Sequence, residues 1–380
     1  MNNKKNKNKK GANNFLTVIA GVALGFVLVF AIISVDLISK MNLLPFGKDD
    51  PVNEPTGFVE VTESGEEKIA IDTLNELRGV NDLSTVLKSW AQNTTETSLM
   101  RSEDVINVLL MGVDASGTNA DTIIIASLNK TQQKIYLTSV FRDSYTYINT
   151  KYGDKYAKIN ACYANGGADK LIETIQNDFK IKIDYYVSVN FESFRSIVDT
   201  FGGINLDVQE YEAREIQKEI GRECPFGENV HLDGEQALTF CRIRKCDVDA
   251  DISRTRRQRQ FINAIIDEAK NISINQISPL LNTVIKYVKT DCSVSEIISL
   301  GTQAISNKWY NYEIVSDAIP SDEHRLDYRG NAWVWIVDYP AAAKSLQETI
   351  YGQSNIELST DRVSAVDIMR DSGNSGNAAP

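Results

Sequence analysis

Ile106-Asn-Val-Leu-Leu-Met111, Ile123-Ile-Ile-Ala-Ser-Leu128 and Ile135-Tyr-Leu-Thr-Ser-Val140 are three short, nearly continuous apolar runs that follow one another closely. A strand with one wet face alternates apolar and polar residues, whereas unbroken runs of this length suit strands buried on both faces. Residues 185–189 and 204–208 read as further strands, the second behind Gly202-Gly203. Helical periodicity covers 168–179, 191–201 and 253–270. Further patterned segments at 280–288, 294–304, 333–337 and 341–350, with a strand near 312–319, continue the series. Strands interleaved with helices predict an α/β domain, layered α-β-α around a central mixed sheet, spanning residues 101–352.

Outside that domain the chain changes character. Phe15 to Val35 carries no charge and is long enough to cross a bilayer as a helix, at about 1.5 Å per residue. Lys4, Lys5, Lys7, Lys9 and Lys10 precede it, which predicts a cytoplasmic tail (1–14), a single-pass anchor (15–38) and an extracytoplasmic remainder. A cleaved signal peptide has a shorter apolar core and a small-residue cleavage site, and no Ala-x-Ala follows here. Residues 39–100 read as a linker with Pro51 and Pro55, then a small accessory region with a hairpin near 59–71 and a helix near 83–90. Residues 353–380 read as a tail whose Ser, Gly and Asn end lacks core-forming residues.

The net charge of the 380 residues is −11, which argues against a nucleic-acid partner. Against this acidic background the segment from Arg242 to Arg259 holds six arginines and one lysine. On a helix starting near 253, Arg254, Arg257, Gln258 and Phe261 share the core-facing stripe, while Arg256 and Arg259 fall on the opposite face. Buried arginines need anionic partners. A phosphate beside a helix N-terminus is one such partner, and a structural ion pair is another. Arg242 and Arg244, two apart, point to one side of an extended segment.

Two carboxylates sit at the ends of the first two apolar runs. Asp114 follows Gly112-Val113, and Asp121 opens the second run, so both reach one rim of the sheet. One or two carboxylates suffice for Mg²⁺, whose remaining ligands are water and phosphate oxygens. Asp114-Ala-Ser-Gly117 is also good turn chemistry without any metal. Arg142-Asp143 exits the third run, either solvated or part of the same anion site. The two histidines exclude a histidine-rich metal centre, and the chain has no Walker loop and no nucleophile elbow. Cys224 and Cys246 are candidates for a disulfide, with buried free thiols the alternative.

In this order the residues resemble the LytR-CpsA-Psr cell-wall ligases. The resemblance lies in Asn107-Val-Leu-Leu-Met-Gly-Val-Asp114, Asp121-Thr-Ile-Ile-Ile, Phe141-Arg-Asp143, Lys158-Ile-Asn160 with Gly166-Gly167, and Ile183-Asp-Tyr-Tyr186. It continues through Val198-Asp-Thr-Phe-Gly-Gly-Ile204, Leu232-Asp-Gly-Glu-Gln-Ala-Leu238, Cys241-Arg-Ile-Arg244 and Arg254-Thr-Arg-Arg-Gln258. Phe141 stands where proline usually precedes Arg-Asp. The resemblance implies transfer of a glycopolymer phosphate from an undecaprenyl-pyrophosphate carrier to peptidoglycan. It implies Mg²⁺ on Asp114 and Asp121, and pyrophosphate on Arg142, Arg242, Arg244, Arg254 and Arg257 with Gln258. Asp143 matches as a base or an orienting partner. A polyprenyl tunnel is implied as well, for which Leu171, Ile175, Phe179, Phe194, Ile197 and Val198 are candidates beside ordinary core packing. Hydrolysis of the lipid pyrophosphate, or non-catalytic binding of the carrier or wall polymer, are the competing readings.

Overall fold

The structure, a computed structural model, describes residues 80–114, 116–243, 250–269, 288–293, 296, 299–300, 303–304, 306–329 and 333–371. The expected anchor, linker and 59–71 hairpin lie outside these residues, as do Arg244, Cys246 and the 372–380 tail. So does nearly all of the segment 280–288, and 294–304 is described only at scattered positions.

In chain order the elements are α1 (Val80–Gln92), β1 (Val105–Val113), β2 (Ala120–Asn129), β3 (Lys134–Val140), β4 (Tyr145–Thr150) and β5 (Gly153–Lys158). Then come α2 (Gly167–Phe179), β6 (Tyr185–Asn190), α3 (Phe191–Thr200), β7 (Ile204–Val208), α4 (Glu210–Ile220), β8 (Gly227–Leu232) and α5 (Gly234–Arg242). The last part holds α6 (Ala250–Ala269), β9 (Lys289–Thr290), β10 (Glu313–Ile319), β11 (Arg325–Arg329), β12 (Trp333–Val337), α7 (Tyr339–Tyr351) and α8 (Ala365–Asp371).

The three apolar runs are β1, β2 and β3, an antiparallel meander in which Leu109 pairs with Ile125 and Ala126 with Leu137. β6 lies parallel to β1 and β10 parallel to β3, giving the mixed order β10-β3-β2-β1-β6-β9. Alternation along each strand sends Leu109, Ile123 and Ile125 to one layer and Val108, Ile124 and Ala126 to the other, all at most 5% exposed. On the first face lie α1, α2, α7 and α8, through Leu83, Leu171, Ile175, Leu346 and Met369. On the second lie α6, through Ile262, and the segment carrying Cys292, Leu300, Ala304 and Trp309. That is the expected α-β-α sandwich.

The chain departs from the sequence reading in three places, and at Cys224 it realises one of the two alternatives. Strand 204–208 does not join the central sheet: β7 pairs with β8, and this hairpin forms its own core with α3, α4, α5 and α6. Strand 333–337 likewise leaves the sheet to pair with β11. Leu83, Leu87 and Ala91 of α1, and Ala365 and Met369 of α8, belong to the main core, so the folded body reaches beyond 101–352 at both ends. Cys224 is a buried free thiol, so the bridge to Cys246 is not made at its Cys224 end.

Candidate active site

At the end of β3 the chain makes a tight turn that presents Arg142 and Asp143. Three backbone donors fix it. Ser144 N–H donates to the Phe141 carbonyl at 3.1 Å, Asn160 N–H to that of Arg142 at 3.2 Å, and Trp335 N–H to that of Asp143 at 3.0 Å. Arg142 Nη1 reaches Asp121 Oδ1 at the start of β2 in a close ion pair. Its Nε lies 3.4 Å from Asp143 Oδ2, and Lys158 Nζ lies 2.8 Å from Asp143 Oδ1. Asp143 is 3% exposed, a buried carboxylate held between two cations. Burying a carboxylate is costly unless partners of this kind surround it. The row Asp121–Arg142–Asp143–Lys158 therefore joins residues from the ends of β2, β3 and β5 at one rim. The sequence reading assigns Lys158 no role of its own; the one signal for it is its position in Lys158-Ile-Asn160.

Asp114 is shaped by its own loop. Its Oδ1 accepts from Ser116 Oγ at 2.8 Å and from Thr118 N–H at 3.0 Å, and Asn119 Nδ2 donates to Oδ2 at 3.1 Å. Burial alone would raise this carboxyl; the hydrogen bonds from Ser116, Asn119 and the loop backbone outweigh it and hold the group below its ordinary range. The turn reading of this aspartate is thus realised, and its product is an ionised carboxylate one strand pairing away from Asp121, since Val113 pairs with Ala120. Two carboxylates at one rim match the oxygen donors that Mg²⁺ takes from a protein. Asp121 has one carboxylate oxygen engaged by Arg142, whereas both oxygens of Asp114 already accept hydrogen bonds. Of the two, Asp121 fits the cation better.

The arginine stripe on α6 is buried as its spacing requires: Arg254 is 4% exposed, Arg257 1%, Gln258 8% and Phe261 6%. Arg257, however, is committed to protein. Its Nε donates to Glu212 Oε1 at 2.7 Å and its Nη1 to the Ile243 carbonyl at 3.1 Å. The structural ion pair, one of the two alternatives for this stripe, accounts for Arg257. Glu212 also caps α4, its Oε2 accepting from Gln209 N–H at 2.9 Å. Arg259, expected on a solvated face, instead donates to Ser139 Oγ at 2.8 Å. The reason is that α6 is enclosed, with β3 on one side and α4, α5 and β7 on the other. That contact sets the N-terminal half of α6 beside the end of β3, three residues from Arg142.

Arg242 ends α5 with its guanidinium 4.6 Å from the Phe191 ring centroid, exposed, and with no ion pair among the described residues. Among the described residues of the predicted set it is the most accessible cation. The six tunnel candidates fall in two regions of the described core. Leu171, Ile175 and Phe179 are 0% exposed in the core on the α2 face, while Phe194 and Val198 pack with Phe261 in the β7–β8 core. Ile197, beside them on α3, is 4% exposed.

Comparison with known proteins bears on this site. The LytR_cpsA_psr family model matches residues 75–350. The chain is 32% identical over 257 residues to the polyisoprenyl-teichoic acid–peptidoglycan teichoic acid transferase TagU of Bacillus mycoides, covering 66% of this chain and 79% of that one. The crystal structure of Bacillus subtilis TagV superposes with a TM-score of 0.53 at 26% identity, over 66% of this chain and 98% of that one. A LytR-CPS2A-psr family protein, YwtF (TagT), with bound octaprenyl pyrophosphate lipid superposes with a TM-score of 0.50 at 23% identity, over 65% and 91%. At that identity the likeness is one of fold.

Proposed function

The chain belongs to the LytR_cpsA_psr family, and on that premise we propose that it transfers a glycopolymer phosphate, such as that of a teichoic acid, from a polyprenyl-pyrophosphate carrier to peptidoglycan. The observation that carries this reading is the rim where Asp121, Arg142, Asp143 and Lys158 meet. The TagU relative supports it, being named for transfer from a polyisoprenyl-linked teichoic acid to peptidoglycan.

In this reading a peptidoglycan hydroxyl attacks the phosphorus nearest the glycan. A new P–O bond forms, the phosphoanhydride bond breaks, and polyprenyl monophosphate leaves with the electron pair. The hydroxyl proton passes to the leaving phosphate or to water. Catalysis of this kind rests on positioning and charge neutralisation. Arg142, displaced from Asp121 or sharing it, offers a planar fork to the phosphate oxygens. Arg242, exposed at the end of α5, and Arg254 at the N-terminal end of α6 supply further cations, and Arg244 is assigned with them. Arg257 holds α6 to α4 and so places Arg254 and Gln258. Asp143 has both oxygens occupied by Lys158 and Arg142, which favours its role as orienting partner over that of base. A Mg²⁺ on Asp121, with Asp114 as a second carboxylate, would supply charge neutralisation at the pyrophosphate. Residues 15–38 would anchor the domain outside the membrane.

Product analysis with a short-chain polyprenyl-pyrophosphate disaccharide tests the proposal. Glycan phosphate linked to peptidoglycan is the expected product. Free glycan phosphate at the same rate with and without peptidoglycan would instead make the protein a pyrophosphatase.

A further inference from the structure

Arg325 opens β11 and lies far in sequence from every other site residue, yet it touches the turn that presents Arg142. Its guanidinium carbon is 4.6 Å from the Phe141 ring centroid and 4.2 Å from that of Trp335. The two rings are 6.0 Å apart and tilted by 40°. Phe141 is 2% exposed and Trp335 8%, and the Arg325 side chain is 8% exposed. Nη1 of Arg325 donates to the Pro320 carbonyl at 3.2 Å, and Nη2 pairs with Asp322. Asp322 is 89% exposed, so solvent screens that pair and the rings are the stronger partners.

Both rings belong to the frame of the site turn. Phe141 immediately precedes Arg142, and its N–H donates to the Ile319 carbonyl at 2.9 Å. Trp335 donates its N–H to the Asp143 carbonyl at 3.0 Å and bridges to Ser144. Arg325 thus ties the residue before Arg142 to the strand that holds the residue after it. We propose that Arg325 is a positioning residue, a planar cation packed against Phe141 and Trp335 that fixes the 141–144 turn and thereby aims Arg142 at the substrate phosphate.

The geometry requires a guanidinium, because a lysine ammonium can neither lie flat against two rings nor reach Pro320 and Asp322 together. The inference rests on Arg142 binding the pyrophosphate. Misplacement of a reacting group by about an ångström is costly in rate while ground-state binding, spread over several cations, is preserved.

The test compares wild type, Arg325→Lys, Arg325→Met, Phe141→Leu, the Phe141→Leu/Arg325→Met double variant and Arg142→Ala, as full-length protein in detergent. Single-turnover release of polyprenyl phosphate, the dissociation constant for octaprenyl pyrophosphate and the thermal midpoint are measured on each. Both Arg325 variants are expected to lose about tenfold in rate, with binding changed less than about threefold and the protein folded at assay temperature. The double variant is expected to be no slower than Arg325→Met, since both changes break one unit. Arg325→Lys is the milder probe should Arg325→Met fold poorly. Wild-type rates in Arg325→Lys, or rate losses that track only the folded fraction, would overturn the inference while Arg142→Ala remained inactive. Wild-type turnover by Arg142→Ala would overturn the pyrophosphate reading itself and the inference with it.

Discussion

Arg257 on α6 and Glu212 on α4 form an ion pair of 2.7 Å with side chains 1% and 6% exposed. The pair joins α4 to α6, the helix that carries the arginine stripe, and Glu212 also closes the first turn of α4. Removing one member of a buried pair leaves an uncompensated charge, whereas replacing both with apolar groups is often tolerated. Arg257→Ala is therefore expected to cost roughly 3–5 kcal/mol of stability. Arg257→Met with Glu212→Leu should recover a large part of it. Urea unfolding of the three proteins measures both, and a double variant less stable than Arg257→Ala would contradict the assignment.

Gly112 stands opposite Thr122, two residues before Asp114. A Cβ at this position would lie 2.9 Å from Thr122 Cβ, closer than such atoms approach, and 3.0 Å from its Oγ1. Gly112→Ala is expected to destabilise by about 1–3 kcal/mol and to lower turnover by shifting the strand that carries Asp121. A fully active, equally stable Gly112→Ala protein would mean the β1–β2 pairing at the rim has slack.

Asp178 is fully buried between Thr146 and Tyr339, and burial pushes its carboxyl up to about 8 against the hydrogen bond from Thr146 and the charge of Lys180. In the unfolded chain the group titrates near 3.8. Between these values the native state holds a proton that the unfolded state has lost, so stability from this group falls as pH rises from about 4 to about 8. Asp178→Asn should flatten that slope. Urea midpoints at pH 5 and pH 8 test it; parallel losses in the two proteins would refute it.

Lys158 holds Asp143, which in turn braces Arg142. Lys158→Met leaves that buried carboxylate with one cation fewer, and turnover is expected to fall about tenfold, as for loss of positioning. Lys158→Arg should retain more of it. Equal activity in all three proteins would separate Asp143 from catalysis.

The central sheet was legible because burial on both faces leaves continuous apolar runs, as in β1, β2 and β3. The α6 stripe was legible because helical spacing alone puts Arg254, Arg257, Gln258 and Phe261 on one side. What the spacing does not carry is the partner. Glu212 lies in a helix rich in charge, Glu210 to Lys218, and only the fold singles it out for burial against Arg257. Arg325 carries no local pattern at all; its place is set by contacts with Phe141 and Trp335, which no periodicity relates. The β4–β5 hairpin and β11 escaped notice for a similar reason, since each is defined by a pairing outside the main sheet.

The most direct test is single-turnover transfer from a polyprenyl-pyrophosphate glycan to peptidoglycan by wild type and Arg142→Ala, followed by mass spectrometry of both products. The account predicts polyprenyl monophosphate and peptidoglycan-linked glycan phosphate in equal amounts from wild type, with neither formed by Arg142→Ala. Undiminished transfer by Arg142→Ala would contradict it, because the rim of Asp121, Arg142, Asp143 and Lys158 would then not be where the pyrophosphate is cleaved.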